Sequence, residues 1–224
     1  MRRNKAPVHA SLPFQIDANG WAADVVRLPS PNFDLRAEGM EIALLVIHNI
    51  SLPPGQFGGP FIADLFLNQL DYAADPYFDQ LKPLRVSAHF LIRRDGTVMQ
   101  FVSARDRAWH AGASSFCGRE CCNDFSIGIE LEGTDFEPFE DAQYAALASL
   151  TVALKLAYPL QHVSGHEQIA PGRKTDPGPF FNWSGYQALY RKKHAEWREG
   201  ATQKLTQEQL QAWAVAGDLQ FCTV

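Results

Sequence analysis

The run Ile42-Ala43-Leu44-Leu45-Val46-Ile47-His48 decides the fold class. Six consecutive apolar residues end on an imidazole, with no polar alternation to give the run a wet face. A segment this short, rich in branched side chains, reads as a strand covered on both faces, the kind that α/β sheets place at their centre. A second strand follows the other rule. In "DFSIGIELEG" (124–133), Phe125, Ile127, Ile129 and Leu131 point one way, and Ser126, Gly128, Glu130 and Glu132 the other.

Working outward, "RDGT" holds an Asp95-Gly96 hairpin signal between expected strands at Val86–Arg93 and Thr97–Val102. Pro60 opens a helix with Phe61, Leu65, Phe66 and Leu70 as its apolar stripe. Glu140 and Asp141 start another that runs to Ala157 and stops before Pro159. A short strand is expected at His162–Ser164. Helices are expected from Ser184, with Tyr186, Leu189, Tyr190 and Trp197 on one side, and from the capping-box pattern at Thr206 to Gly217. Residues 1–40 are poorly periodic, with one short helix expected near Trp21–Arg27. Strands and helices mix without strict alternation, so the expected fold is α/β, a single domain with a central mixed β-sheet flanked by helices.

Whole-chain properties narrow the function. The 224 residues, 46% hydrophobic, suffice for a substantial core. A net charge of −5 argues against a nucleic-acid surface. No apolar run approaches the roughly 18–20 residues of a membrane span, and the charged start lacks the apolar stretch of a secretion signal. Cys117, Cys121, Cys122 and Cys222 form neither a disulfide framework nor a C-x-x-C pair, so free thiols in a cytoplasmic setting are expected.

The loop "SGHEQIAPGRKTDPGPFF" (164–181) carries His166, Arg173, Lys174 and Asp176 between prolines and glycines that suppress regular structure. Taken alone it reads equally as a solvated surface loop. His48, taken alone, reads as a core histidine with both nitrogens satisfied. Together, His48, His166 and Asp176 offer two imidazoles and a carboxylate, the composition of a catalytic zinc site with a fourth place open. No H-E-x-x-H spacing supports the set. Glu130 and Glu132 face either solvent or a site, and Gly128 leaves room for a ligand above that face. Trp109 and His110 in "RAWHAGASS" suit a sugar- or peptide-contacting loop or a core. His9 and His194 read as ordinary surface residues.

Five segments carry a resemblance: "VIHNISLPPGQFGG", "RVSAHFLIRRDGTVMQFV", "RAWHAGASS", "NDFSIGIELEGTD" and "GHEQIAPGRKTDPGP". In order and with few gaps, from about Trp21 to Tyr186, the chain resembles the type-2 N-acetylmuramoyl-L-alanine amidases, and among them the cytosolic members that recycle cell-wall fragments. The resemblance implies an amidase domain over 21–186, with an arm at 1–20 and a C-terminal helical extension at 187–224. It implies one zinc per chain on His48, His166 and Asp176, with Glu130 and Lys174 as the catalytic pair. The bond cut would join the lactyl group of 1,6-anhydro-N-acetylmuramic acid to L-alanine. Asn49, Tyr77, Arg85, Trp109 and His110 would lie at or beside the cleft. A muropeptide stem is acidic, so Arg85 and Arg173 are expected to meet its carboxylates; Cys121 stands where the family commonly has an arginine. The alternatives are a wall-fragment binding module without catalysis, which Asp176 and Lys174 argue against, and an amidase of intact wall, which would carry an export signal. Truncation after Gly200 is expected to spare the site, since every matched segment ends before Tyr186.

Overall fold

The apolar run does form a central strand. In the computed structural model, which describes residues 14–201 and 217–222, seven strands share one sheet: β1 (Val26–Arg27), β2 (Leu44–Ile50), β3 (Phe90–Ile92), β4 (Val98–Gln100), β5 (Ser126–Glu132), β6 (His162–Gly165) and β7 (Gln220–Cys222). Their spatial order is β1-β4-β3-β5-β2-β6-β7. Every neighbouring pair is parallel except the β3–β4 hairpin around Asp95-Gly96. The sheet is therefore mixed, as the absence of strict alternation implied.

The helices are α1 (Phe61–Phe66), α2 (Asp141–Ala157), α3 (His166–Ile169) and α4 (Trp183–Ala201). Alternation along β2 and β5 divides the core. Leu45, Ile47, Ile127, Ile129 and Leu131 pack with Leu147, Leu150 and Leu154 of α2 and with Tyr186 and Tyr190 of α4. A 2.7 Å hydrogen bond between Thr151 Oγ1 and the Tyr186 hydroxyl joins the two helices inside that layer. Leu65 and Phe66 of α1 pack on Leu91 and Met99 on the other side of the sheet. Leu70 is buried with them but lies beyond the end of α1.

Several expectations are corrected. Trp21–Arg27 is not helical; it ends in β1, because Val26 and Arg27 pair with Met99 and Gln100 at the sheet edge. The hairpin strands are shorter than their apolar runs. The segment at 164–181 is not wholly irregular, since α3 gives it one helical turn. The chain after α4 is not only helical. β7 pairs with β6, Leu219 is buried, and the Phe221 ring lies 5.2 Å from Tyr186. Truncation after Gly200 would thus strip a strand hydrogen-bonded beside the one that leads to His166. The expected helix after Thr206 and His9 fall outside the described residues. His194 is half-buried, stacked 5.4 Å from Tyr190 and 6.5 Å from Trp197 rather than free on the surface. The four cysteines are free.

Candidate active site

Parallel strands bring their carboxyl ends to one rim, where open α/β sheets gather ligands. His48 and Glu130 lie side by side there, as register partners on β2 and β5. Ser164 and Gly165 of β6 pair with Val46 and Ile47, so the first residue after β6, His166, arrives at the same rim. Asp176 returns from the loop beyond α3, where its carbonyl accepts from Glu167 N at 2.8 Å.

Three atoms converge. His48 Nδ1 lies 3.0 Å from His166 Nδ1 and 3.0 Å from Asp176 Oδ2, and His166 Nδ1 lies 3.0 Å from the same oxygen. These three donor atoms are grouped closely enough to hold one metal ion. His166 Nε2 faces the Ala111 carbonyl at 3.1 Å, an acceptor that draws an N–H to that nitrogen and leaves Nδ1 turned inward. Burial drives the His48 imidazole down to about 4, with Asp176 opposing, so this ring is uncharged at neutral pH. Two imidazoles and a carboxylate are a donor set that fits a divalent cation of the zinc type.

Glu130 and Glu132, equivalent by sequence, separate here. Glu132 accepts from Gly58 N, Arg93 Nη1 and Arg94 N and is a structural tie. Glu130 is 9% exposed, and its Oε2 has no hydrogen-bond partner among the described residues. Burial, reinforced by the charge of Asp176 and opposed by Lys174, raises its carboxyl well above the usual range. An unsatisfied buried carboxyl beside an open cleft is suited to proton transfer. The cleft, about 300 Å³, is lined by His48, Glu130, His166, Lys174 and Asp176, and also by Asn49, Tyr77, Trp109 and His110.

The two arginines expected to meet substrate carboxylates are held by backbone carbonyls. Arg85 donates to the Lys82 and Leu84 carbonyls and lies outside the lining. Arg173 donates to the carbonyls of Ala111 and Ala113, at 2.6 and 2.7 Å. The space over Gly128 is not open to a ligand. The His110 ring fills it, so closely that a side-chain carbon on residue 128 would overlap ring atoms.

One residue was missed. Asp135, just past β5, accepts from Asn49 Nδ2 at 2.6 Å and from Thr175 Oγ1 at 2.5 Å. A side chain at Gly178 would run into it. Asp135 therefore clamps the loop between Lys174 and Asp176 to β2. It ends a quoted segment, yet no periodicity marks a carboxylate that acts across 40 residues. Asp135→Ala is expected to lower kcat/KM or zinc affinity by about 10–100-fold, the usual cost of losing an outer support. Steady-state kinetics and chelator competition check this; both values within twofold of wild type would remove the clamp from the account.

A family model described as N-acetylmuramoyl-L-alanine amidase matches residues 38–179. The chain belongs to that family. The match contains His48, Glu130, His166, Lys174 and Asp176 of this amidase. The amidase is 57% identical over 172 residues to the 1,6-anhydro-N-acetylmuramyl-L-alanine amidase AmpD of Citrobacter freundii, covering 76% of this chain and 92% of the relative. A crystal structure of a selenomethionine AmpD derivative superposes with a TM-score of 0.74 at 56% identity, covering 76% and 97% of the two chains. The amidase AmiD of Escherichia coli, solved with anhydro-N-acetylmuramic acid-L-Ala-D-gamma-Glu-L-Lys, gives 0.50 at 28% identity, covering 78% of this chain and 65% of its own.

Proposed function

We propose that this amidase hydrolyses the amide bond between the lactyl group of 1,6-anhydro-N-acetylmuramic acid and the L-alanine of a stem peptide. It does so as a zinc enzyme of the cytoplasm that recycles wall fragments. The observation that carries the reading is the convergence of His48, His166 and Asp176 beside the unsatisfied carboxyl of Glu130. The high identity to AmpD supports the choice of bond and of the anhydro sugar. Among the described residues no helix is long and apolar enough to cross a membrane.

Zinc, held by His48, His166 and Asp176, would supply Lewis acidity, which polarises a carbonyl and acidifies water. The rest falls to the chain. Glu130 accepts a proton from the attacking water as the new C–O bond forms. It returns that proton to the alanine nitrogen as the C–N bond breaks, so one carboxyl serves both halves of the reaction. Its raised affinity for protons suits the second half. Lys174, whose side chain reaches the cleft, donates to the oxyanion of the tetrahedral intermediate. Tyr77 and Trp109 give the cleft aromatic walls for the sugar and the peptide.

Chromatographic release of free stem peptide from an anhydromuropeptide tests this reading, with intact sacculi as the comparison. Release from the soluble fragment should be the faster. Lys174→Ala should lower kcat by about 10²–10³-fold while keeping its zinc. A near-native kcat would take Lys174 out of the mechanism, and faster release from sacculi would point to intact wall as the substrate.

A further inference from the structure

A ligating imidazole works only if its far nitrogen holds the proton, and a neighbour has to enforce that. Behind His48 the hydrogen bonds run in a single direction. The Cys122 carbonyl can only accept, and Ser126 Oγ sits 2.6 Å from it, so the single hydroxyl proton of Ser126 goes there. Ser126 Oγ must then accept from His110 Nε2, at 3.2 Å. A neutral imidazole has one N–H, so His110 Nδ1 carries a lone pair. That lone pair lies 2.9 Å from His48 Nε2, which must donate to it. The remaining lone pair of His48, on Nδ1, is turned toward His166 and Asp176.

The next residue does the same for the second histidine. The Ala111 carbonyl takes the Nε2 proton of His166. Residues 110 and 111 are themselves fixed from behind, since buried Asn123 Oδ1 accepts from both backbone N–H groups, at 3.1 and 2.8 Å. Gly128 supplies the space that the His110 ring needs.

We propose that His110, with Ser126 behind it and Gly128 beneath it, is a positioning residue that sets the tautomer of His48, while the adjacent Ala111 carbonyl sets that of His166. Segment 110–111 thereby aims both imidazoles at one point. The inference rests on the zinc reading for its purpose but not for its geometry. It also explains why Ser126, Gly128 and Glu130 occupy one face of β5: two support His48 from behind, and the third faces the cleft.

The test uses the full chain, stripped of metal and labelled with ¹⁵N at histidine. Long-range ¹H–¹⁵N correlation should show both His48 and His166 protonated at Nε2. In Ser126→Ala, the His48 signals should move toward a mixture of tautomers while those of His166 stay. Zinc dissociation constants, measured by chelator competition, should rise about 10–100-fold in Ser126→Ala and His110→Leu. His110→Gln, which keeps an acceptor for His48 and a donor for Ser126, should recover most of that loss. Should His110→Leu not fold, Ser126→Ala removes only one oxygen and carries the test. His48 still purely Nε2-protonated in Ser126→Ala, with affinity within twofold of wild type, would overturn the proposal. Wild-type protein that fails to take up zinc would instead overturn the metal reading, leaving the tautomer measurement to be read separately.

Discussion

Replacing His48 with alanine is expected to reduce bound zinc far below one per chain and to bring turnover to background. The proposed centre draws its three donors from β2 and the 164–181 segment, and His48 is the one rooted in the middle of the sheet, only 1% exposed. Losing it leaves one imidazole and one carboxylate, too few to compete with water and buffer for the ion. The loss should exceed the roughly 10–100-fold drop in affinity that follows removal of a mere outer support. Circular dichroism should remain native-like, since Leu45, Ile47 and the α2 layer are untouched. Metal analysis and kinetics on one preparation decide the matter. Stoichiometric zinc with wild-type turnover in His48→Ala would place the centre elsewhere.

Glu130→Gln carries the second large effect and separates chemistry from stability. With no group to accept and return the proton, kcat should fall about 10²–10⁴-fold, while zinc stays bound because no ligand has changed. Stability should move the other way. A carboxyl raised by burial favours the fold only while protonated. Its contribution is complete below the unfolded pKa and is lost as pH rises through the folded value. Glutamine is neutral throughout. Metal-free Glu130→Gln should therefore melt above wild type near pH 8, and the gap should close toward pH 4, where both side chains are uncharged. Thermal scans in the presence of a chelator measure this. A variant that melts lower than wild type at pH 8 would show that the buried carboxylate is stabilised by something other than what surrounds it here.

Some of this was legible in the sequence because local patterns force it. The unbroken apolar run to Ile47 has no wet face to offer, so it lies mid-sheet. The strict alternation in 124–133 put Glu130 on the face opposite Ile129, and β2 carries His48 to the same side. Other features depend on contacts that no local pattern encodes. Nothing in the spacing separates Glu130 from Glu132; Arg93 and two backbone N–H groups do so in three dimensions, by claiming Glu132. Gly128 suggested room for a ligand, but the space is taken by His110, eighteen residues earlier in the chain. Val26–Arg27 and Gln220–Cys222 are strands only because a sheet edge is there to pair with, and segments of two or three residues have no period to read. Asp135 acts on Thr175 across a loop whose path the sequence does not give.

The most direct test of the central claim is mass spectrometry of the products formed from a 1,6-anhydro-N-acetylmuramyl peptide, with and without a chelator. The account predicts two products whose masses correspond to the anhydro sugar and the free stem peptide. It predicts none after chelation, and both again once zinc is restored. Cleavage at any other bond, or undiminished cleavage in the metal-free enzyme, would contradict it.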